Sequence, residues 1–110
     1  VPCAVLVFPQ RFQIDPGDWR LAVDHYALRP EAFDLRAPNR RVAAFCAGRT
    51  LACVDPTESM QAWRERSGEA LYLPRGDMHW NAAGHRVWLE GAKPALAEVI
   101  ARARARRGLE

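Results

Sequence analysis

Two apolar runs constrain this chain more than any other feature: Ala4-Val5-Leu6-Val7-Phe8 and Thr50-Leu51-Ala52-Cys53-Val54. Each is continuous rather than alternating, and each is followed closely by a proline, Pro9 and Pro56. Strands that read this way are covered on both faces, as in a parallel sheet. The residues between them carry helical signals, so the connection is expected to be a right-handed helical crossover. Two strands are too few for a stable sheet, because each leaves an edge of unpaired N–H and C=O groups. The expectation is an α/β fold in which residues 1–110 form one partial domain.

The helical segments follow from caps and apolar spacing. Asp15-Pro16-Gly17-Asp18 predicts a turn, with Asp18 capping a helix through Trp19, Leu21, Ala22 and Tyr26. Arg29 to Asn39 reads as a surface connection with at most one helical turn, and Asn39 to Ala47 as a short helix capped by Gly48. Asp55 or Thr57 starts the next helix, through Met60, Ala62, Trp63 and Arg66, and Ser67-Gly68 closes it. Leu71-Tyr72-Leu73-Pro74 is a short extended piece. Asn81 then caps a long last helix whose apolar stripe is Trp88, Ala92, Ala95, Leu96, Val99 and Ala103. Pro94 lies within that stripe and predicts a kink or a split in the first turns.

The formal charge of +3 is local, supplied by Arg102, Arg104, Arg106 and Arg107. Cations there complement the C-terminal end of a helix dipole. No aromatic residues interleave with them, so no nucleic-acid partner is expected. Cys3, Cys46 and Cys53 form no CxxC pair and sit among apolar neighbours, which reads as buried free thiols; a Cys46–Cys53 bridge is the alternative in an exported protein. No apolar run is long enough to cross a bilayer, and no signal-peptide pattern is present. An exported or periplasmic parent protein is compatible with all of this.

Chemistry concentrates near the end of the chain, in Asp77-Met78-His79-Trp80-Asn81 followed by Ala82-Ala83-Gly84-His85. A carboxylate two residues before a histidine, in a loop feeding a helix, builds two-thirds of a hydrolytic triad. The carboxylate holds one ring nitrogen, and the other is left to take a proton from a nucleophile. No serine stands in a setting that reads as that nucleophile; Ser59 lies one turn into a helix without a tight elbow. The rival is zinc held by Asp77, His79 and His85, but His-x5-His is not a one-face helical spacing and no further ligand is evident. Neither a metal nor a cofactor is expected. Asp55, at a strand's C-terminal end, reads as a helix-start cap rather than a ligand group.

In this Asp-x-His-Trp-Asn block, in the Leu6-Val7-Phe8-Pro9-Gln10-Arg11-Phe12 segment and in Leu51 to Asp55, the chain resembles the C-terminal half of SGNH/GDSL-type hydrolases. The subgroup includes sugar O-acetylesterases and alginate-type O-acetyltransferases. The resemblance implies the C-terminal portion of a flavodoxin-like three-layer sandwich, with parallel strands and a long C-terminal helix. It implies that Asp77 orients His79, that His79 acts as general base and then acid, and that Trp80 and Asn81 shape the loop and start the helix. Trp80 and Arg11 are the candidate substrate contacts, although for Arg11 a solvated loop residue is the better reading. The implied partner is an acylated small molecule or glycan. The family's Gly-Asp-Ser nucleophile segment and its oxyanion-hole residues have no counterpart here, so the chain by itself is expected to be inactive. The alternative is a non-catalytic interaction module, a degenerate half-domain that pairs through its open sheet edge with the remainder of a domain or a second copy.

Overall fold

The computed structural model describes residues 3–108. The elements run β1 (Ala4–Leu6), α1 (Arg11–Ile14), α2 (Pro16–His25), a 3-10 turn (Pro30–Ala32), α3 (Ala37–Gly48), β2 (Ala52–Val54), α4 (Thr57–Ser67) and α5 (Ala82–Arg106). The two strands pair in parallel, with Ala4 opposite Ala52 and Leu6 opposite Val54. The fold is thus mixed α/β, and both strands lie where the apolar runs put them, each shortened to three residues. Among the described residues no helix is long and apolar enough to cross a membrane.

Local chemistry explains most of the element boundaries. Pro16 occupies the first turn of α2, where its missing N–H costs nothing, and Asp15 rather than Asp18 becomes the cap, accepting the Gly17 N–H at 2.9 Å. Gly48 stays inside α3; the left-handed residue beyond it is Thr50, with φ of 55°, and the Leu51 N–H returns to the Cys46 carbonyl at 2.9 Å. Gly68, at φ 69°, closes α4 as its position predicts. Pro94 does not split α5, which runs unbroken over 25 residues. The carbonyl that Pro94 frees belongs to exposed Glu90, where water can satisfy it. Cys3 is exposed and Cys53 half-buried, against expectation, while Cys46 is buried; all three cysteines are free thiols.

The core is one cluster of Ile14, Val54, Met60, Leu71, Tyr72, Val87, Trp88 and Ala92. Fully burying an Ile, Val, Leu or Met side chain is worth about 1.5–3 kcal/mol. Ala95, Leu96 and Val99 extend the seam along α5, as the stripe predicts. β1 is less covered: Ala4 and Val5 are half-buried and Leu6 is 40% exposed, so the strand is not enclosed on both faces by the described residues. The radius of gyration is 16.3 Å, against about 13 Å for a compact domain of this length. The excess follows from α5, whose 25 residues span about 37 Å at the helical rise.

Candidate active site

Asp77 and His79 stand on a short antiparallel arm. The Leu73 N–H donates to the His79 carbonyl at 2.9 Å, the Asn81 N–H to the Leu71 carbonyl at 3.1 Å, and Tyr72 bridges to Trp80 between them. The chain reverses through Pro74–Asp77, where Arg75 and Gly76 have φ of 63° and 76°. Two consecutive left-handed residues are what a type I′ hairpin turn requires. Gly76 takes that conformation freely, whereas for Arg75 it costs about 1–2 kcal/mol.

The arm rests against the carboxyl end of β1. The Tyr72 hydroxyl donates to the Pro9 carbonyl at 2.7 Å, and burial pushes its phenol up to about 12. Trp88 Nε1 donates to the Val7 carbonyl at 2.9 Å. Phe8 stacks on Trp88 with centroids 4.9 Å apart and meets Trp80 at 5.4 Å. Asn81 locks the arm to the next element: its side chain accepts the Gly84 N–H at 2.8 Å and donates to the Ala70 carbonyl at 2.7 Å. The carboxyl ends of strands are where open α/β sheets place ligand-binding groups.

Asp77 Oδ1 accepts two hydrogen bonds from His79, from the backbone N–H at 2.8 Å and from Nδ1 at 2.7 Å. Those two bonds, the backbone one first, hold the Asp77 carboxyl below the usual aspartate range. A carboxylate only accepts, so the proton between the two side chains belongs to Nδ1. The neutral ring therefore keeps a lone pair on Nε2. The His79 side chain is 87% exposed and that of Asp77 43%, so the free nitrogen is open to a reactant.

The other sequence-predicted residues take different roles. Trp80 is half-buried, packed between Phe8, Trp88 and His85 as part of the arm's footing. Arg11 reaches the same arm but is already engaged: Nε and Nη2 donate to Asp18 at 2.6 and 3.2 Å, and Nη1 donates to the carbonyls of Leu73 at 2.6 Å and Asp77 at 2.8 Å. His85 sits edge-on to Trp80 at 5.3 Å. Among the described residues no three His, Cys, Asp or Glu groups converge in a metal-binding cluster. The hydroxyls of Ser59 and Ser67 both donate to main-chain carbonyls of the α4 region, Pro56 and Trp63, at 2.9 Å.

A second polar cluster lies at the carboxyl end of β2. Asp55 accepts from the Thr57 N–H at 3.1 Å and from Asn39 Nδ2 at 2.8 Å, and Asn39 Oδ1 accepts from Gln13 at 2.6 Å. Burial works against the Asp55 charge, but the bonds from Thr57 and Asn39 outweigh it and hold the carboxyl below its ordinary range. Asp55 thus bonds the first residue of α4 from one position before the N-cap, which is Pro56 rather than Asp55 or Thr57. The Gln13–Asn39 link and the Arg11 clamp leave no local trace in the sequence, since each joins residues more than twenty positions apart.

No family model matches this chain, and no curated protein or solved structure matches it either.

Proposed function

We propose that this chain is the acid–base half of an SGNH-type carboxylester hydrolase or O-acyltransferase that acts on an acylated small molecule or glycan. The observation that carries this reading is the grip of Asp77 Oδ1 on His79 Nδ1 at 2.7 Å, with the remainder of the ring exposed. A serine outside this chain attacks the acyl carbonyl while His79 Nε2 takes its proton. Asp77 balances the imidazolium that forms. The tetrahedral intermediate collapses, and Nε2 returns the proton to the departing alkoxide. Water or a sugar hydroxyl then attacks the acyl-serine, again giving its proton to Nε2, and the serine is regenerated. The engagement of both Ser59 and Ser67 in α4 supports placing the nucleophile elsewhere.

One observation favours a second reading, the non-catalytic module. Phe8 and Phe33, 56% and 48% exposed, border an apolar groove with Phe12, Leu35 and Val42, a surface suited to pairing. A fluorophosphonate serine-hydrolase probe with intact mass separates the two. It is applied to this chain and to the longest parent product. Labelling of the parent alone is the expected result. Labelling of neither favours the module, and labelling of the short chain overturns the split assignment.

A further inference from the structure

We infer that Arg11 is a positioning residue for the Asp77–His79 dyad: its guanidinium, anchored on Asp18, holds the main chain of the turn that presents the carboxylate to the imidazole. This inference rests on the reading of the dyad as the catalytic acid–base pair.

The geometry is unusual in how much of one side chain it consumes. Nε and Nη2 form a two-point contact with the Asp18 carboxylate, and Nη1 bonds two carbonyls that flank the turn, those of Leu73 and Asp77. Four of the five guanidinium N–H groups are therefore used. Only 13% of the side chain is exposed, which leaves little of it for a substrate. The turn needs this support. Its tip carries two left-handed residues and a long closing bond of 3.4 Å from the Asp77 N–H to the Pro74 carbonyl. Among the described residues, Arg11 is the one side chain from outside the arm that bonds the main chain of residues 73–79.

The role is mechanical rather than electrostatic. The Arg11 charge is largely neutralised by Asp18, and among the influences lowering the Asp77 carboxyl it ranks last, behind the two bonds from His79. What Arg11 fixes is direction. With the Asp77 carbonyl held, its main chain keeps the orientation from which the carboxylate reaches Nδ1. Without the clamp the exposed arm samples others, and the Nδ1 proton is no longer pinned.

The test reads the dyad directly, through the imidazole 15N shifts of His79 in the neutral ring and hydrogen exchange of its amide. The Nδ1-protonated tautomer is expected in the unaltered chain. Arg11→Met is expected to mix the tautomers and to speed exchange of the His79 amide roughly tenfold, the change expected for losing one hydrogen bond of ordinary net strength. Arg11→Lys, with point-charge donors and no fork, should recover only part of the effect. Arg40→Met removes the Arg40–Asp34 contact, which shares no residue with α1, α2 or the arm. It should not move the His79 signals. Should Arg11→Met not fold, Asp18→Asn serves, since it loosens the anchor and should shift the same signals by less. A folded Arg11→Met or Asp18→Asn protein with unchanged His79 tautomer and exchange overturns the inference. No turnover enters these readouts, so they fail or hold separately from probe labelling of the parent.

Discussion

A Cβ placed on Gly84 would stand 2.2 Å from the carbonyl oxygen of Leu71 and 2.9 Å from the Cβ of Trp80. The first turn of α5 is thereby seated directly on the arm that carries His79. Gly84→Ala gains about 1 kcal/mol of helix propensity but forces backbone away from backbone. A net loss of about 1–3 kcal/mol is expected, read by chemical denaturation. Gly48→Ala is the counterpart: nothing lies within 4 Å of its Cβ position inside α3, so a gain of about 0.5–1 kcal/mol is expected. A neutral Gly84→Ala would mean that the arm retreats at no cost.

The Asp77 carboxyl should titrate below the ordinary aspartate value, because the His79 backbone N–H and then Nδ1 bond its ionised form. With the folded value depressed, the stabilisation these bonds give is fully present above about pH 4, the unfolded value. It fades as pH falls through the lower, folded value. Following the Asp77 side-chain carboxyl by 13C NMR checks this, and His79→Ala should move the midpoint upward but not completely, since the backbone bond survives. A midpoint at or above the ordinary value would contradict the geometry.

Much of the fold was legible because its signals are local. Apolar runs mark β1 and β2, Asn81 caps α5, Gly68 ends α4, and the Trp88-to-Val99 stripe lies on the core. Where the reading slipped, two local candidates competed or the deciding contact was distant. Asp15 and Asp18 are both good caps, and Pro16 decides for Asp15, which frees Asp18 to bind Arg11. Thr50 rather than Gly48 takes the left-handed turn, and α1, a single turn held by Gln10 and Gln13, is too short for periodicity to reveal. At the site, the contact of Asp77 with His79 spans two positions and was visible in the spacing, whereas the Arg11 clamp reaches 62 and 66 positions and was not.

Asn39 is 5% exposed and donates to Asp55 at 2.8 Å and Thr57 at 3.0 Å. Asn39→Asp keeps the shape but sets two carboxylates together, so one of them must have a raised folded value. The variant should be destabilised near neutral pH and should regain stability as pH falls through that value, the reverse of the Asp77 case. Denaturation midpoints at pH 7 and pH 5 decide it; a stability difference from the unaltered chain that does not depend on pH would show that the two carboxylates do not meet.

The isolated chain should show negligible esterase activity on short acyl esters. His79 Nε2 is exposed and its partner nitrogen is held, but a base without a positioned nucleophile and oxyanion donors has little to activate. The two serines are bonded into α4 by 2.9 Å contacts to Pro56 and Trp63. Rates of ester hydrolysis should therefore match for the unaltered chain and His79→Ala, both near the uncatalysed background. Turnover by this chain alone that His79→Ala abolishes would place a nucleophile within these residues and sink the assignment of the serine to another segment.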